Sequence, residues 1–154
     1  IPNKRMPKLN SPSNKVGVLM AVKLSHKGDY GLVLVAALAR RTGFASLREV
    51  AQQKKLPYKF VSQVAGELQK AGILESREGV SGGYKLARIP EKILVREVLD
   101  AVEGPMVAEE CDHGDECGCG GACVHEAVEE KITAGANRAL AMFTVADLVE
   151  DAQN

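Results

Sequence analysis

From Leu24 onward the chain alternates apolar-periodic runs with breaks marked by glycine or proline, whereas residues 1–19 hold no sustained apolar period and carry Pro2, Pro7 and Pro12. That opening segment reads as a disordered extension or a cloning remnant, and the patterned chain begins after Met20. Ser25 is placed to cap a helix over residues 27–41, with Leu32, Val35, Ala36 and Ala39 predicted on its buried side. Thr42-Gly43 closes it. A short helix over 46–53 turns Leu47, Val50 and Ala51 inward, and Lys54-Lys55-Leu56 makes the following turn. Pro57 then opens a third helix over 57–71, predicted to bury Phe60, Val61, Val64 and Leu68 and to stop at Gly72.

Residues 73–76 and 84–87 read as two strands around a glycine-rich tip at Gly79, Gly82 and Gly83. Helix, short helix, turn, helix and hairpin is the order of a winged helix-turn-helix. A helix over 93–102 ends at Gly104-Pro105, and a loop holding every cysteine follows. A long helix over 124–142 then places Val128, Ile132, Ala136, Leu140 and Phe143 at spacings near 3.6, before a short last helix capped by Thr144. The predicted fold is mainly α with a small β-hairpin wing. Residues 20–104 form the winged helix-turn-helix DNA-binding domain, 105–123 the cysteine-rich loop, and 124–154 the dimerisation helix and C-terminal helix. In a chain of 154 residues the long helix has no obvious helical partner, which predicts a homodimer.

Composition adds three constraints. The longest apolar stretch, 31–39, is far below the ~20 residues a membrane helix needs, and the start lacks the apolar core of a signal peptide. A cytoplasmic protein with reduced thiols is therefore expected, which weakens a disulfide reading. The net charge of zero hides an asymmetry: residues 1–105 carry 18 Lys+Arg against 9 Asp+Glu, and residues 106–154 carry 2 against 11. A basic first part suits a polyanionic partner. No nucleophile–base set or substrate motif stands out, so neither an enzyme nor a small-molecule substrate is expected.

In a helix-turn-helix the third helix enters the major groove by its N-terminal residues. Lys59 can reach phosphate or guanine, Ser62 and Gln63 can bond base edges, and Tyr58 can touch phosphate or sugar. Lys54 and Lys55 are placed to hold the DNA backbone. On the wing, Arg77, Ser81, Gly82 and Gly83 form a tip whose arginine can enter a minor groove, with Glu78 as an acidic neighbour.

The cysteines, Cys111, Cys117, Cys119 and Cys123, follow C-x5-C-x-C-x3-C. Structural zinc sites usually pair cysteines as C-x2–4-C knuckles, and only Cys119 and Cys123 fit one. Iron–sulfur clusters also take thiolates from irregular loops, with other donors replacing a cysteine on occasion. Spacing alone leaves zinc, an iron–sulfur cluster and a thiol redox switch open.

Together "KLSHKGDYGLVLVAALA", "LREVAQQKKLPYKFVSQVAGELQKAGIL", "GVSGGYKLAR", "VLDAVEG" and a cysteine loop before a long helix resemble the Rrf-type bacterial transcription regulators, which include IscR-like, NsrR-like and CymR-like members. The resemblance covers residues 22 to about 150. It implies a homodimeric winged-helix regulator bound to a double-stranded DNA operator. In the cluster-binding branches it implies an iron–sulfur cluster, [2Fe–2S] or [4Fe–4S], on Cys111, Cys117 and Cys123. For the fourth ligand, NsrR-like members use an aspartate near the start of the first helix of the other subunit, where Asp29 stands. IscR-like members use a histidine at the position of Glu126, and His125 is adjacent. The order of candidates is Asp29, then Cys119, then His125 and Glu126. The chain departs from IscR-like members at Ser62, where they carry glutamate, and at the wing, where Glu78 rather than Arg77 adjoins the glycine tip.

Overall fold

A computed structural model of the protein describes residues 24–107 and 124–151. Extended backbone at Ser25 lets its hydroxyl accept the Gly28 N–H at 3.2 Å, and α1 (His26–Ala39) starts from that cap. Its buried residues are Gly28, Gly31, Leu34, Val35 and Leu38. Of the predicted four, only Val35 is fully buried, while Leu32, Ala36 and Ala39 are half-buried. Residues 31–39 are all apolar, so periodicity cannot select a face. The neighbours select it instead, with Gly31 lying against Val102 and Val64.

The short α2 (Leu47–Lys54) buries Leu47, Val50 and Ala51 as predicted. Lys55 then takes a left-handed φ of 54° and its N–H bonds back to the last turn, which swings the chain into α3 (Tyr58–Lys70). The buried stripe of α3 is Val61, Val64, Ala65 and Leu68. Phe60 is not part of it. One residue before Val61 it falls on the flank, 51% exposed, where its ring tilts against Tyr30 at 6.2 Å between centroids.

The hairpin pairs β1 (Leu74–Arg77) with β2 (Gly83–Leu86), antiparallel, from Leu74↔Leu86 to Arg77↔Gly83. Ala45 joins the edge: its N–H donates to the Tyr84 carbonyl at 2.9 Å, and the Tyr84 N–H returns a bond at 2.8 Å. The wing is thereby tied to the residue just before Ser46, the N-cap of α2. After a 3-10 turn (Pro90–Lys92), α4 (Val95–Glu103) buries Val95, Val98, Leu99 and Val102 against α1 and α3. Its first turn is closed by Glu97, which accepts the Leu94 N–H at 2.9 Å and an Arg88 N–H at 3.1 Å. Those bonds, the Leu94 one foremost, hold the Glu97 carboxyl below its ordinary pKa of 4.5.

The long α5 (Val124–Leu140) buries none of its residues. The last helix, α6 (Val145–Asp151), returns to the winged body, with Val145 fully buried and Val95 N–H→Phe143 and Val145 N–H→Ile93 backbone bonds of 2.9 and 2.8 Å. Thr144 caps it through a reciprocal pair of contacts with Asp147, whose carboxyl is lowered by the Thr144 backbone N–H first and its hydroxyl second. Among the described residues no helix is long and apolar enough to cross a membrane.

Candidate nucleic-acid interface and metal-binding segment

Burial of the α3 stripe turns Lys59, Ser62 and Gln63 outward, all exposed, with Tyr58 46% exposed at the first turn. Lys54 is the last, exposed residue of α2, so the helix-turn-helix presents one polar and basic side. The five ion pairs among the described residues are Lys27–Glu67, Arg41–Glu49, Lys85–Glu75, Arg88–Glu97 and Arg96–Asp100. Lys54, Lys59 and Arg77 belong to none of them. Among the described residues Lys54 and Lys59 therefore leave positive charge unpaired at the recognition helix, whereas on the wing Arg77 is balanced by its neighbour Glu78, which is likewise in no ion pair.

On the wing, Gly82 and Gly83 permit approaches no side chain would. A Cβ on Gly82 would collide with the Arg77 carbonyl, and one on Gly83 with the Ala45 carbonyl, at a φ of +130°. The Arg77 guanidinium stacks on Phe44, 4.3 Å from the ring centroid, and donates to the Ser81 carbonyl at 2.9 Å. Lys85 approaches the same ring at 4.9 Å while pairing with Glu75 at 2.6 Å. The predicted wing arginine is thus held along the hairpin rather than extended from its tip. Sequence reasoning missed Phe44; its signal was an isolated aromatic just before the short helix.

The four cysteines lie outside the described residues. Of the other predicted ligands, Asp29 is exposed in the first turn of α1 and in no ion pair among the described residues, and His125 is exposed in the first turn of α5. Among the described residues no three His, Cys, Asp or Glu gather at one point. As chemistry, four thiols with an available carboxylate and imidazole suit an iron–sulfur cluster or zinc. Glu103 is the last residue of α4. Its carboxylate accepts the Ser25 N–H at 3.0 Å and the Ser25 hydroxyl, and a Cβ on Gly28 would strike it. The chain therefore departs toward the cysteines from a point fixed on the start of α1, the helix that carries Asp29. Nothing in the apolar pattern signalled that contact, because it joins residues far apart in sequence.

Comparison with known proteins agrees with this architecture. Residues 24–151 match the Rrf2 family model, described as an iron-dependent transcriptional regulator. The chain is 41% identical over 86 residues to the HTH-type transcriptional regulator IscR of Cereibacter sphaeroides, a match spanning 53% of this chain and 56% of that relative. It is 31% identical over 132 residues to the HTH-type transcriptional regulator NsrR of Shouchella clausii, covering 83% and 89%. Among solved structures, CymR, the global cysteine regulator of B. subtilis, superposes with a TM-score of 0.70 at 27% identity, over 84% of this chain and 98% of that one. A match across nearly all of the patterned chain, with the helix-turn-helix and wing in place, makes this protein a member of the Rrf2 family of transcriptional regulators.

Proposed function

We propose that the protein is a homodimeric, cytoplasmic transcription regulator that binds an operator in double-stranded DNA and senses redox, nitric oxide or iron–sulfur status through an iron–sulfur cluster. The observation that carries the DNA part is the outward polar side of α3, where Lys59, Ser62 and Gln63 stand beside a glycine wing, with Lys54 and Lys59 in no ion pair among the described residues. Lys54 and Tyr58 would contact the DNA backbone, Ser62 and Gln63 the base edges. A second copy would cover apolar surface that is exposed among the described residues: Val128 and Ile132 on α5, 45% and 44% exposed, and Phe60 on the flank of α3, 51% exposed.

Cys111, Cys117 and Cys123 are the proposed thiolate ligands, with Asp29 first among the candidates for the fourth, then Cys119 and His125. A bound cluster would supply redox- and nitric-oxide-sensitive chemistry. Asp29 sits on the helix that packs against α3, so a pull on its carboxylate would reach the recognition helix through the α1–α3 interface. Anaerobically purified protein is expected to be brown, with visible absorption and matching iron and sulfide. A colourless protein stoichiometric in zinc overturns the cluster. The similarity to a cysteine regulator supports a second reading, in which the same DNA-binding body carries a structural zinc or a thiol switch.

A further inference from the structure

A helix in the major groove and a hairpin tip at the neighbouring minor groove are separated by one sugar–phosphate strand, which forms the wall between the two grooves. The surface between Tyr58 and the wing must face that strand. It is a groove of about 320 Å³, bounded by Ser46 and Arg48 at the start of α2, by Tyr58, and by Gly82 and Gly83. We propose that this groove seats a phosphate of duplex DNA and that Arg48 holds it, an inference that rests on the DNA-binding reading above.

Three observations support the assignment. The Arg48 side chain is exposed and, among the described residues, is in no ion pair, unlike Arg41, Arg88 and Arg96. Its guanidinium lies 5.0 Å from the centroid of the Tyr58 ring, which orients the charge without neutralising it. The Ser46 hydroxyl makes no bond to the first turn of α2 and is left to donate to an oxygen in the groove. Because Arg48 belongs to α2 and Tyr58 to α3, packing of the two helices sets the width of the seat. A phosphate contact carries no sequence information. Arg48 would therefore set affinity and register while Ser62 and Gln63 read bases.

The test uses the full chain and a fluorescein-labelled mixed-sequence duplex of about 30 base pairs, long enough for two half-sites. Affinity is followed by anisotropy from roughly 50 to 200 mM salt. Arg48→Ala is expected to weaken binding and to flatten the slope of log affinity against log salt by about 0.9 per subunit engaged. Arg48→Lys should keep the slope while losing affinity, because the charge remains and the planar fork does not. Arg88→Ala, whose arginine is paired with Glu97, should leave the slope unchanged. Melting curves check the fold, with Arg48→Gln as a second neutral variant. A wild-type slope retained in both neutral variants overturns the phosphate seat while leaving DNA binding intact. A wild-type protein with no salt-dependent affinity sinks the DNA-binding reading itself.

Discussion

Gly83→Ala tests how the wing is held. The new Cβ would meet the Ala45 carbonyl at a backbone φ of +130°. An L-residue forced into that region costs about 1–3 kcal/mol. Relief of the collision requires Ala45 and Tyr84 to part, which breaks their two reciprocal bonds of 2.9 and 2.8 Å. Each such bond contributes about 0.5–1.5 kcal/mol net, so the whole change should cost about 2–6 kcal/mol. For a domain of this size, about 3–5 °C of melting temperature accompanies each kcal/mol, and a fall of roughly 6–30 °C is expected by circular dichroism. Gly79→Ala separates the two contributions. It has a φ of +108° with nothing within 4 Å of the added Cβ, so it carries backbone strain alone. The difference between the two variants should then be about 1–3 kcal/mol. Equal melting temperatures for the two variants would refute the idea that the Ala45–Tyr84 pair fastens the wing to the helix-turn-helix.

Other outcomes follow from the same structure. Gly66 lies inside α3 with open space around it, so Gly66→Ala should stabilise the fold by about 1 kcal/mol in a urea titration. Glu97 and Asp147 both have carboxyls held below their ordinary values, 4.5 and 3.8. Their stabilisation is complete above those values and is lost as pH falls through the lowered ones, so stability should drop from about pH 5 downward. Glu97→Gln with Asp147→Asn should flatten that acid limb, and an unchanged limb would exclude both groups. Phe44→Leu should release Arg77, and a double-mutant cycle with Arg77→Ala should report a coupling of about 0.5–1 kcal/mol. Asp29→Ala should alter the visible spectrum of anaerobic protein without changing its oligomeric state, whereas an identical spectrum removes Asp29 from the ligand set.

Local chemistry determined much of this protein in sequence. Ser25 and Thr144 cap helices because each hydroxyl reaches the backbone three residues on, and Leu47, Val50 and Ala51 recur at a period that fixes the buried side of α2. The glycines of residues 79–83 and the strand runs beside them announced the hairpin. Tertiary structure decided what local pattern left degenerate. An all-apolar run over 31–39 offers every face, and only packing against α3 and α4 chose Leu34 and Leu38 over Leu32 and Ala39. Phe60 reads as core beside Val61, yet the geometry of α3 puts it on the flank against Tyr30. The same holds for function. Lys59, Ser62 and Gln63 were legible as the exposed side of a recognition helix. The Phe44–Arg77 stack, the Arg48–Tyr58 groove and the Glu103 clamp on Ser25 were not, because each joins side chains from separate elements whose meeting depends on how those elements pack.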